Sequence, residues 1–78
     1  MYIAVADVTA VRLHKFLGKT AMIKFEIMNA GMVPHANPVS KFENATIFQT
    51  KKDAITAIKT ATKSYFDLTN FRVQKIKN

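Results

Sequence analysis

The sequence predicts an α+β fold: a small antiparallel sheet of three to five strands with one helix packed on one face, in the order β-β-β-α-β. Two segments carry this prediction. In residues 20–28 (TAMIKFEIM), Ile23, Phe25 and Ile27 alternate with Lys24 and Glu26, the period of a half-buried strand. In residues 50–53, Thr50-Lys51-Lys52-Asp53 has the form of a capping box with Asp in the usual Glu or Gln place. Ala54, Ile55, Ile58, Ala61, Thr62 and Tyr65 then fall on one stripe of a helix spanning roughly 51–66, which needs a sheet to cover.

The other elements follow in chain order. Tyr2 to Val8 is rich in β-formers and either extends the next strand or forms its own. Val11 and Leu13 alternate with Arg12 and His14, so residues 10–16 read as the hairpin partner of 20–28, with Gly18 in the turn. A helix over 7–17, capped by Asp7 and ended by Gly18, competes with that reading, although Val5, Val8, Thr9 and Val11 are β-branched and oppose it. Residues 29–44 hold Gly31, Pro34 and Pro38 and read as a long loop. Residues 45–49 read as a short strand, and residues 71–77 as a closing strand whose alternation breaks at Lys75.

The whole chain of 78 residues is expected to form a single domain. With no cysteine there is no disulfide, thiol nucleophile or thiolate metal site. No apolar run reaches the roughly 20 residues of a membrane span, and the N-terminal segment lacks the basic start of a signal peptide. A cytoplasmic location without membrane attachment is the expectation.

Chemistry is sparse. His14 and His35 are the only histidines, one on an expected strand and one in a loop, and nothing in their spacing brings them together as general base and acid. No ligand pair at helical spacing suggests a metal, and two glycines cannot build a phosphate loop. The expected protein is not an enzyme and needs no metal or cofactor.

Charge is the one strong signal. Twelve Lys and Arg against five Asp and Glu give +7, with +5 of it in residues 44–78. Lys52, Lys59 and Lys63 fall within about 40° of one another on the helix, along roughly 16 Å of its axis. Arg12, Lys24 and Arg72 alternate with core positions and are expected on the sheet face away from the helix. These six residues are the candidate surface for an acidic partner or for phosphates. Read as plain chemistry, the same lysines also serve as a solvated face that keeps a small protein in solution. Tyr2, Phe16 and Phe71 are the aromatics available for base stacking, but Phe16 and Phe71 read better as core.

Ala45, Phe48, Thr50, Lys51 and Ala54, followed by a helix and by Val73 and Ile76, form an A-x-x-F-x-T-K-x-x-A run closed by V-x-K-I. In this the last 35 or so residues resemble small accessory proteins of bacteriophages; the long proline-containing loop departs from that pattern. The resemblance implies a phage-type inhibitor that docks on a host defence or metabolic protein, or on a ribonucleoprotein, with an acidic surface. The alternative is direct binding of RNA or single-stranded DNA, and a homodimer is open to a chain of this size.

Overall fold

The computed structural model describes residues 1–9, 15–27, 34–61 and 67–76. They form four antiparallel strands and one helix: β1 (Tyr2–Val8), β2 (Thr20–Ile27), β3 (Pro34–Val39), α1 (Lys51–Ala61) and β4 (Leu68–Lys75). The sheet order is β3-β2-β1-β4, so the first strand is central and the last strand closes one edge. The predicted class and the order β-β-β-α-β hold.

Several boundaries differ from the sequence reading. The hairpin partner of β2 is Tyr2–Val8, paired as Val5 to Met22, Ala6 to Ala21 and Asp7 to Thr20. Asp7 and Val8 belong to β1 and residues 15–18 are a turn, so a helix over the whole of 7–17 does not form; residues 10–14 of the expected strand over 10–16 lie outside the described residues. Gly18 has φ 78°, a left-handed backbone that a side chain disfavours. Its N–H donates to the Val8 carbonyl, which closes the turn against the end of β1.

The expected loop at 29–44 contains β3. Residues 34–39 pair with β2 from Ile27 opposite Pro34 to Met22 opposite Val39. Prolines are compatible with an edge strand when their nitrogens face away from the ladder. Residues 45–49, expected as a strand, contribute a single bridge between Phe48 and Tyr2.

That bridge belongs to a wedge. Tyr2 and Phe48 exchange both backbone hydrogen bonds at 2.8 Å, while the Thr46 N–H donates to the Ile23 carbonyl. The Phe25 N–H donates to Thr46 Oγ1 at 2.9 Å. Residues 46–48 therefore lie between the splayed ends of β1 and β2, and the Phe48 ring meets Phe25 edge-on at 5.7 Å.

The helix packs on a floor of small side chains. Ala4, Ala6, Ala21 and Ala36 join Val8, Ile23, Ala61 and Leu68 in one buried cluster, with Ile58, Phe16, Phe25 and Phe71 packed against it. Alanines in that layer let the helix approach the sheet closely. Ile3 and Val5, on the opposite side of β1 by strand alternation, join Ala45 in a second cluster flanked by Met22, Val39 and Ile76. Met22 thus sits in a second layer of core. The consequence for β1 is burial on both faces, with Ile3, Ala4, Val5, Ala6 and Val8 all between 0 and 5% exposed.

The helix start matches its sequence signature. Thr50 Oγ1 accepts a hydrogen bond from the Asp53 N–H at 3.1 Å, and Asp53 sits in the positively polarised first turn.

Candidate binding surface

The six candidate cations divide into three pairs. Lys52 and Lys59 are exposed on α1. Lys24 and Arg72 lie on β2 and β4, on the side of the sheet away from the helix by strand alternation. Arg12 and Lys63 fall outside the described residues.

The sheet pair is already engaged. Lys24 Nζ is 3.7 Å from Glu26 Oε1, two residues along the same strand face. Arg72 meets Asp7, each about two-fifths exposed, at 3.3 Å. Around that pair a small polar cluster forms across β2, β1 and β4. The Thr20 hydroxyl donates to Asp7 Oδ1 at 2.8 Å, and Asn70 Nδ2 donates to Oδ2 at 3.1 Å. Arg72 also donates to the Asn70 carbonyl at 2.8 Å and to Thr20 Oγ1 at 3.1 Å. The hydrogen bonds from Thr20 and Asn70, together with the Arg72 charge, hold the Asp7 carboxyl below its ordinary 3.8.

This cluster sits at a β-bulge. Between Val5 and Asp7 the register of β4 slips by one residue, since Arg72 faces Val5 and Thr69 faces Asp7. Asn70 has φ 54°, a left-handed conformation that Asn tolerates better than most residues. The bulge is what brings Asn70 and Arg72 to one carboxylate.

The helix side is different. A groove of about 380 Å³ runs between α1 and β4, lined by Ile55, Ile58, Phe71 and Val73 with Lys51, Lys59 and Arg72 around them. Lys51, Ile55, Ile58 and Lys59 fall at i, i+4, i+7 and i+8 and so share one side of the helix. Among the described residues Lys51, Lys52 and Lys75 have no carboxylate partner. By alternation Lys75 lies on the same face of β4 as Val73. Sequence spacing placed Lys52 and Lys59 on the exposed side of the helix, where α1 has them. It missed the groove, because Ile55 and Val73 belong to elements whose adjacency is a tertiary fact.

Hydrogen-bond direction separates the two sheet edges. The Ile23 carbonyl and the Phe25 N–H both face the wedge, on the β1 side. Their partners across β3, Pro38 and Ala36, therefore turn their own backbone groups outward, and so does Pro34. Only Ala36 retains a donor on that edge. On the other side Tyr2 faces Phe48, so Ile3 and Val5 face β4 and bond Gln74 and Arg72. Val73 and Lys75 are left with outward N–H and C=O groups, and no strand lies beyond β4 among the described residues.

His35 lies half-buried on β3, and His14 is outside the described residues. No three His, Asp or Glu side chains converge among the described residues, and none of their helices is long and apolar enough to cross a membrane. The geometry defines a small α+β protein with a cation-rimmed apolar groove. Comparison with protein-family models, curated proteins and solved structures returns no match.

Proposed function

We propose that the protein is a non-catalytic binding module that docks an acidic surface of a partner protein against the α1–β4 side of the fold. The observation that carries this reading is the groove: Ile55, Ile58, Phe71 and Val73 form its floor and Lys51 and Lys59 its rim. A chain of charge +7 that ties Asp7 and Glu26 to cations on the other face keeps positive potential on the helix side. Charge complementarity then speeds and orients the encounter, and the apolar floor supplies contact area once water is excluded. The resemblance to bacteriophage accessory proteins makes a host defence or metabolic protein, or a ribonucleoprotein, the expected partner, blocked by steric occlusion.

Phosphate binding is the competing reading, with Lys52 and Lys59 on the backbone of RNA or single-stranded DNA. An apolar floor between the lysines favours a protein surface over a phosphate chain. The test is a pull-down from nuclease-treated bacterial lysate with the native protein and with a Lys51→Glu, Lys52→Glu, Lys59→Glu variant. Capture of one stoichiometric acidic protein by the native chain alone supports the proposal. Loss of capture on nuclease treatment overturns it for phosphate binding, when joined to oligonucleotide affinity that falls with salt at a slope of about −0.7 per contact.

A further inference from the structure

We infer that the partner binds as an extended acidic strand added to the free edge of β4, with alternate side chains seated in the α1–β4 groove. The inference rests on the docking reading above and specifies how docking occurs. Three features meet at this edge. Val73 and Lys75 turn their backbone N–H and C=O groups outward, as derived from the Ile3–Gln74 and Val5–Arg72 pairing. No proline interrupts β4. Directly beside the edge lies the groove, whose floor includes Val73 itself and Phe71.

An added strand gains main-chain hydrogen bonds from the edge and specificity from every second side chain. Those side chains point into the groove, where Ile55, Ile58, Phe71 and Val73 accept apolar groups and Lys51 at the rim accepts a carboxylate. Lys75 extends the positive row along the strand. The same lysines argue against a second copy of this chain as the occupant. Antiparallel pairing of two β4 edges would bring Lys75 of both copies onto one face of a single ladder, in a protein that carries +7. Like charges across a strand pair are destabilising, and Lys on an edge is a common device against self-pairing. An acidic strand turns that repulsion into attraction.

The probe is a ten-residue peptide alternating Val and Glu, titrated into the isotope-labelled protein and followed by amide shifts and hydrogen exchange. Strand addition predicts slowed exchange at the Val73 and Lys75 amides. It also predicts that N-methylation of the alternate peptide amides facing β4 weakens binding at least tenfold, while methylation of the other set changes it less than about twofold. Val73→Pro removes an outward donor without touching the ladder to β1 and should abolish binding; the methylated peptides provide the same test independently of how that variant folds. Equal sensitivity to both methylation patterns overturns strand addition while leaving side-chain docking of acidic groups intact. No shift at millimolar peptide overturns both. Concentration-dependent protection of Val73 and Lys75 without peptide overturns the acidic occupant in favour of a second copy.

Discussion

The two edges of the sheet solve one problem by different means. β3 closes its edge with covalent chemistry: of its three outward positions, 34 and 38 are proline and only Ala36 has a donor. β4 keeps its donors and surrounds them with Lys75, Lys51 and Lys59. A missing N–H disfavours every incoming strand, whereas a positive rim repels basic strands and attracts acidic ones. An edge guarded only by charge is therefore selective where an edge guarded by proline is inert.

The largest effect on this contrast comes from the residue that supports the closed edge. Ile23 is fully buried, opposite Pro38 and within the cluster under α1. Ile23→Ala should cost about 2–5 kcal/mol, measured by urea denaturation, because a cavity opens where helix and sheet meet. A cost near zero would mean that β2 does not anchor β3 through this cluster.

Next in size is a proline scan of the open edge. Gln74 turns its N–H toward Ile3, so Gln74→Pro removes a ladder bond and should cost on the order of 2–3 kcal/mol. Val73→Pro, one residue earlier, removes a solvent-facing donor and part of the groove floor but no ladder bond, and should cost markedly less. Equal losses would contradict the pairing register from which the free edge was derived.

Opening the closed edge should be milder still. Replacing Pro34 and Pro38 by Ala restores two outward donors while keeping the register with Ile27 and Ile23. Stability should fall by about 0.4–1 kcal/mol per site through the greater freedom of the unfolded chain. Sedimentation should now report more self-association than for the native protein at the same concentration. A variant that stays monomeric at the same concentration would show that proline is not what closes this edge.

The sequence revealed the elements that bury one face and concealed those that bury two or none. TAMIKFEI alternates because Lys24 faces water while Ile23 is buried, and Thr50 caps α1 through a contact three residues away. β1 shows no alternation because the helix cluster takes Ala4 and Ala6 while the second cluster takes Ile3 and Val5. The alternating Val11-Arg12-Leu13-His14 therefore drew the hairpin assignment away from it. β3 was hidden by its prolines, which read as loop until their outward direction is known. Among the candidate cations, spacing along the helix found Lys52 and Lys59. Nothing local could show that Arg72 is held by Asp7, 65 residues earlier, whereas Lys24 meets Glu26 only two residues along the same strand face.

The smallest effect concerns how the open edge is attached. Asp7 binds Arg72 and Asn70 of β4 and Thr20 of β2, so one carboxylate ties three strands at the bulge. Its folded pKa lies below 3.8, with the Thr20 and Asn70 hydrogen bonds as the first causes. A carboxyl with a depressed folded pKa contributes stability that is complete above its unfolded value and is lost as pH falls through the folded one. The stability gap between the native protein and Asp7→Asn should thus be constant from neutral pH to about pH 5 and shrink progressively below 3.8. Because the cluster is solvent-exposed, the gap should be small and should narrow in high salt. Hydrogen exchange should place the loss at β4, with the Arg72 amide opening before those of β2. A gap that persists unchanged to pH 2, or a loss confined to β3, would mean that the bulge is held by backbone geometry at Asn70 rather than by the carboxylate.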